Sequence, residues 1–76
     1  MPKRPVVSGE GAVRAFERLG FRVVRRRSSH VAVRIDTPEG ARGTTVPMHD
    51  EIARGTLGSM LRQAGVDVEE FFRKVR

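Results

Sequence analysis

Residues 29–36 alternate between apolar and polar side chains, the pattern of a strand that buries one face and exposes the other. This is the clearest strand in the chain, and we expect it to lie in a small sheet. One face carries Val31, Val33 and Ile35, and the other carries His30, Ala32 and Arg34. The first set is expected to face the core and the second set to face solvent.

Two further segments have strand character. Residues 21–27 are rich in Val and Phe. Residues 41–48 contain Pro47 near their end, which is typical of an edge strand or of a strand terminus. The connections at residues 27–29 and 37–40 are short, and the second contains Pro and Gly in positions that suit a turn. The three strands should therefore form an antiparallel meander.

A helix is predicted before the sheet. Ser8 is a good N-cap, and Gly20 is expected to end the helix as a left-handed residue. Phe21 then follows at a position from which it can contact Phe16 across the helix end. The apolar stripe of this helix comprises Ala12, Val13, Phe16 and Leu19.

Two helices are predicted after the sheet. The first opens at residues 55–56 and closes at Gly65. The second is short, with Asp67 as its cap and Glu70 three residues later in a capping box. The predicted fold class is α+β with the order α-β-β-β-α, three antiparallel strands, and a short C-terminal helix. Residues 1–76 are expected to form one domain, with a core at 8–66 and a helical extension at 67–76.

The charge of the chain is unevenly placed. The formal net charge is +6, and residues 1–34 carry nine basic and two acidic side chains, whereas residues 35–76 carry six basic and seven acidic ones. Such asymmetry indicates a polyanionic partner, most simply nucleic acid. Arginine codon bias would explain the excess of Arg over Lys, but it would not explain the clustering.

The composition also sets limits. The chain has no cysteine, which excludes disulfides and thiolate metal sites. It has no Trp or Tyr, so a platform that stacks bases on aromatic rings is not expected. No apolar run resembles a signal peptide or a membrane span, so we expect a soluble cytoplasmic protein without a membrane partner.

The densest positive charge is the run Arg25-Arg26-Arg27, which leads through two serines into His30. Guanidinium groups match phosphate oxygens, and an imidazole can transfer a proton near neutral pH. Alternation predicts that Arg26 faces away from the other two arginines. His30 is therefore a candidate acid–base residue for RNA strand scission, a reaction that requires no metal. The alternative is a solvent-exposed histidine beside a charged strand edge that blocks aggregation.

His49 is the second candidate. It follows the third strand and would be either a contact to the substrate or an acid for the leaving group. The simpler interpretation is a loop histidine that pairs with Asp50 or Glu51. A metal site formed by these three residues is a weaker possibility, because three consecutive loop residues rarely converge on one ion.

Several spaced motifs resemble the HicA family of bacterial toxins, in chain order over residues 8–66. They are Ser8-Gly9, Leu19-Gly20-Phe21, a basic strand, Ser29-His30, Val46-Pro47-Met48-His49, Gly55-Thr56-Leu57 and the run Met60-Leu61-Arg62-Gln63-Ala64-Gly65.

The resemblance implies a fold like that of double-stranded-RNA-binding domains. It implies a ribonuclease that cleaves mRNA without a metal or a small-molecule cofactor, and a HicB-type antitoxin that covers the active face. The family's catalytic histidine, in a Gly-Ser-His motif, corresponds to His30. Ser28 stands where the family usually has glycine, which adopts positive φ more easily than serine. The residues expected to contact RNA are Arg25, Arg27, Ser28, Ser29, Arg34 and His49.

Two alternatives to a toxin ribonuclease stay open. The first is a non-catalytic RNA-binding module of the same fold, which would bind RNA in a salt-sensitive way without turnover. The second is an interaction protein whose basic face docks an acidic partner and has negligible affinity for RNA.

Overall fold

The computed structural model describes residues 6–75 and confirms the α+β fold with the order α-β-β-β-α and a further C-terminal helix. The three strands form one antiparallel sheet in the order β1-β2-β3, as predicted for a meander. The helices are α1 (Gly9–Arg18), α2 (Arg54–Ala64) and α3 (Val68–Val75), and the strands are β1 (Arg22–Arg26), β2 (His30–Thr37) and β3 (Gly40–Pro47).

Strand β2 has the predicted buried and exposed faces. Val31 and Val33 are fully buried, whereas His30 and Arg34 are exposed. β2 pairs with β3 without interruption, and the turn between them is closed by the Thr37 hydroxyl, which donates to a backbone carbonyl at 2.6 Å. Alternation alone therefore placed the β2 side chains correctly.

Strand β1 contains an irregularity that its sequence does not predict. Val23 pairs with Val33, but the next paired residue is Arg25, opposite Ala32, so Val24 is an extra residue in the strand. A bulge of this kind reverses the alternation of the residues that follow it. Without it, Arg25 would lie on the buried face together with Val23.

The ends of α1 follow the predicted chemistry. The Ser8 hydroxyl accepts a hydrogen bond from the Gly11 amide at 3.0 Å, which confirms the N-cap. Gly20 has φ of +100°, and the Phe21 amide donates to the Phe16 carbonyl at 2.9 Å. The two phenylalanine rings are in contact, with centroids 5.0 Å apart.

Helix α3 completes the core by packing on α1. Phe71 is fully buried, and its ring centroid lies 5.3 Å from that of Phe16. The Arg18 guanidinium donates to the Lys74 carbonyl at 2.7 Å, so the solvent-facing edge of α1 is also attached to α3. The Asp67 carboxylate accepts from the Glu70 amide at 3.2 Å, which confirms the predicted cap of α3.

Smaller differences from the predictions lie outside the sheet. α2 begins at Arg54, one residue before the predicted start, and Ala53 at its N-cap makes no side-chain hydrogen bond. Val7 and Ile52 are buried, and the Ile52 amide donates to the Val7 carbonyl at 2.8 Å, so both belong to the core. Pro2 and Pro5 exclude helix and predict an extended lead-in over residues 1–7, of which residues 1–5 lie outside the described part of the chain. No helix within residues 6–75 has the length and apolarity needed to cross a membrane.

Gly9 fixes the start of α1 against the end of β3. A Cβ atom at this position would lie 2.5 Å from the Pro47 carbonyl oxygen and 2.7 Å from the Met48 Cα, and both are backbone atoms. We expect Gly9→Ala to lower the free energy of unfolding by about 1–3 kcal/mol, because α1 must move away from β3 to make room. Urea unfolding followed by circular dichroism measures this change.

The matched control is Gly55→Ala in α2, where an added methyl group meets nothing within 4 Å. That variant should be as stable as the parent or more stable, by up to about 1 kcal/mol, since alanine favours helix. Equal stabilities of the two variants would show that α1 does not need its close approach to β3.

Candidate functional site

The open face of the sheet, opposite the helices, has a recess beside the β1–β2 turn, which we term the sheet-face recess. The bulge at Val24 places Arg25 next to Ala32, and cross-strand neighbours share a face. Arg25 and Arg27 therefore lie on the same side as His30. The recess is lined by Val24, Arg25, Arg27, His30, Ala32 and Thr45.

The His30 imidazole is exposed and is held at one of its two nitrogens. Its Nδ1 lies 2.9 Å from the Ser29 hydroxyl, which is hydrogen-bond distance. The hydroxyl can act as donor or acceptor, so this contact is compatible with either neutral tautomer of the ring. The Nε2 atom makes no hydrogen bond within the described part of the chain and is free to meet a ligand.

The backbone of the β1–β2 turn forms hydrogen bonds both within the turn and to the end of β3. The Arg27 amide donates to the His30 carbonyl at 2.8 Å, and the Met48 amide donates to the Ser29 carbonyl at 2.9 Å. Among residues 6–75 only glycines have positive φ, so Ser28 does not adopt the left-handed conformation. The turn therefore forms without positive φ at Ser28, although the family that the sequence resembles usually has glycine at this position.

Arg34 lies apart from the sheet-face recess. It is on the same face as His30 but four residues further along β2, which is roughly 13 Å in a strand. Its Nε atom lies 3.4 Å from the Asp36 carboxylate, which also accepts a contact from Arg22 at 3.1 Å. A phosphate that binds Arg34 must compete with this exposed carboxylate.

A second recess lies on the helix side of the sheet, and we term it the helix-side recess. It contains His49, so the structure does not bring the two histidines into one recess. The His49 carbonyl accepts from the Gly9 amide at 2.8 Å, which places this loop at the start of α1. Arg27 lines both recesses. The charged and imidazole side chains of the helix-side recess are Glu10, Arg14, Arg26, Arg27, His49 and Asp50.

The contribution of α1 to this region is not predicted by any pattern in the sequence. Arg14 lies on the solvent face of α1, and nothing in the sequence places that face beside the β1–β2 turn. The predicted orientation of Arg26, away from Arg25, is confirmed by its pairing opposite the buried Val31. The alternation of Arg26 with Arg25 was the only feature of the sequence that indicated a second recess on the other face of the sheet.

The possible metal site at His49, Asp50 and Glu51 finds no support. No group of three or more His, Asp or Glu side chains within residues 6–75 is arranged to hold an ion.

A comparison with known families identifies the chain. The sequence model described as the HicA toxin of bacterial toxin-antitoxin systems matches residues 9–66, most of the 76-residue chain. The chain belongs to the HicA toxin family. This HicA-family protein is therefore a toxin component, and its family implies an antitoxin partner. A search of curated proteins gives no significant match. The region matched to HicA ends before α3, although α3 supplies the buried Phe71.

Proposed function

We propose that this HicA-family toxin is an endoribonuclease that cleaves mRNA without a metal, and that His30 is its catalytic residue. The observation that carries the proposal is the sheet-face recess, where the exposed His30 imidazole lies beside Arg25 and Arg27. These side chains combine a proton acceptor with two phosphate ligands, and none of the carboxylates within residues 6–75 lines the recess to compete with the phosphate.

The reaction we propose is attack by the neighbouring ribose hydroxyl. His30 removes the proton of the 2′-hydroxyl, and the 2′ oxygen forms a bond to the adjacent phosphorus. The bond between phosphorus and the 5′ oxygen then breaks, and that oxygen takes up a proton from solvent. The products are a 2′,3′-cyclic phosphate and a free 5′-hydroxyl. Arg25 and Arg27 stabilise the negative charge that builds up on the phosphate oxygens in the transition state.

Ser29 has a role in this proposal as a positioning residue. A neutral imidazole carries one proton, and the proton lies on Nδ1 when that atom donates to the Ser29 hydroxyl. The Nε2 atom then has a free lone pair and can accept the proton of the 2′-hydroxyl. When the Ser29 hydroxyl acts as the acceptor, it holds the ring in the tautomer that the base requires.

The remaining predicted contacts extend the RNA path beyond the scissile phosphate. Arg27 lines both recesses, and Ser28 and His49 line the helix-side recess. Arg34 would bind a phosphate further along β2. We further propose that the antitoxin is of the HicB type, that it covers the sheet-face recess, and that the toxin acts on mRNA in the cytoplasm.

The direct test is the incubation of a long unstructured RNA with the purified protein in excess EDTA. We expect cleavage with 2′,3′-cyclic phosphate and 5′-hydroxyl ends, at the same rate with and without the chelator, because no step uses a metal. Gel electrophoresis measures the rate, and enzymatic end-labelling identifies the termini.

Two results would contradict the proposal. Cleavage that disappears in EDTA would indicate a metal-dependent reaction. Salt-sensitive RNA binding without any cleavage would support the RNA-binding module in place of the nuclease.

A further inference from the structure

The helix-side recess carries both positive and negative side chains, whereas the charged side chains of the sheet-face recess are all positive. Both contain the Arg27 side chain, but the helix-side recess adds Arg14 and Arg26 together with the carboxylates of Glu10 and Asp50. A phosphate in this recess would be attracted by the arginines and repelled by the carboxylates. The preferred ligand is therefore a group that both donates and accepts hydrogen bonds.

The charged groups of the recess are available to such a ligand. Within residues 6–75, the ion pairs join Asp36 to Arg22 and Arg34, and neither Glu10 nor Asp50 forms one with Arg14 or Arg26. The side chains of these four residues make no hydrogen bond or ion pair within the described part of the chain. A ligand that replaces this solvent would meet carboxylate acceptors and guanidinium donors in one place.

The start of α1 has few amides left for a ligand. The Gly9 amide is used by the His49 carbonyl, and the Gly11 amide is used by the Ser8 hydroxyl. Among the first three residues of α1 this leaves the Glu10 amide, so side chains supply most of the donors and acceptors of the recess.

We propose that the helix-side recess binds a guanine base of the RNA, next to the phosphate that is cleaved in the sheet-face recess. Guanine has two adjacent donors, N1–H and N2–H, which match the two oxygens of a carboxylate, and two acceptors, O6 and N7, which match a guanidinium. Glu10 and Asp50 supply the acceptors, and Arg14 and Arg26 supply the donors. Because Arg27 lines both recesses, the bound base and the cleaved phosphate belong to neighbouring nucleotides.

This inference rests on the proposed ribonuclease function, so its first test avoids cleavage. Guanosine, adenosine, cytidine and uridine have no phosphodiester bond, and each can be titrated into the parent protein by NMR. We expect guanosine to bind several-fold more tightly than the others and to shift the amides of Gly11 and Asp50 more than that of Ala32. The variant Glu10→Gln/Asp50→Asn should weaken guanosine binding about tenfold.

The matched control is Glu39→Gln/Glu70→Gln, which changes the net charge equally at exposed positions that do not line the recess. It should bind guanosine as the parent does. Equal affinity for all four nucleosides, or equal guanosine binding by both double variants, would overturn the inference.

The second test maps the cleavage sites on a long RNA. The parent and the control should cut next to guanosine, and Glu10→Gln/Asp50→Asn should lose about tenfold of that preference while it continues to cut. Cleavage without any guanosine preference would overturn the inference and leave the nuclease function intact. Selective guanosine binding without cleavage of RNA would overturn the nuclease function and leave the recess assignment intact.

Discussion

His30→Ala should lower the rate of RNA cleavage by about 10²- to 10⁴-fold, because general acid–base catalysis contributes a factor of that size. The variant should fold like the parent, since the His30 side chain is exposed and its backbone hydrogen bond uses the carbonyl. It should also still bind RNA, because Arg25 and Arg27 are unchanged. Cleavage in EDTA, thermal unfolding and an electrophoretic mobility shift measure the three properties.

His49→Ala is the matched control, because it shows whether the loss of any histidine lowers the cleavage rate or only the loss of His30. His49 lines the helix-side recess and lies apart from Arg25 in the sheet-face recess. Its removal should therefore weaken cleavage far less than the removal of His30. A His30→Ala protein that cleaves RNA as fast as the parent would show that the sheet-face recess is not the catalytic centre.

The sequence predicted those parts of the fold that are decided by local chemistry. Ser8 caps α1 and Gly20 ends it because a hydroxyl and a left-handed glycine act on their own backbone neighbours. The faces of β2 follow from strict alternation over eight residues. Each of these signals lies within a few residues of the structure that it specifies.

The bulge at Val24 shows where local signals are insufficient. The sequence of β1 does not show that one valine is an extra residue, since the bulge is defined by the register with β2. The position of Arg25 and Arg27 beside His30 depends on this bulge. Strict alternation from Phe21 and Val23 would have placed these arginines on the buried face.

The candidate site was predictable only in part, because some of its residues are close in sequence and others are brought together by long-range packing. His30 and the basic strand are close in sequence, and the short turn at Ser28 and Ser29 brings them together. The contribution of Glu10 to the helix-side recess depends on how α1 packs against β3, which is a long-range property. No pattern within the sequence of α1 predicts that Glu10 lines this recess.

The largest expected loss of stability comes from Phe71→Ala in α3. Phe71 is fully buried and its ring packs against those of Phe16 and Phe72, at centroid distances of 5.3 and 5.6 Å. Truncation of a buried phenylalanine costs about 3–5 kcal/mol, whereas a domain of this size has roughly 4–11 kcal/mol in total. We therefore expect a midpoint of urea unfolding far below that of the parent.

Val68→Ala is the matched control in the same helix, because Val68 is 37% exposed and its truncation should cost less than about 1 kcal/mol. Phe71→Leu should fall between the two, since leucine fills most of the volume. The expected order of stability tests whether α3, which lies beyond the matched family region, is part of the folding unit. If Phe71→Ala were as stable as Val68→Ala, then α1 would hold Phe16 without α3, and residues 67–76 would be a dispensable extension.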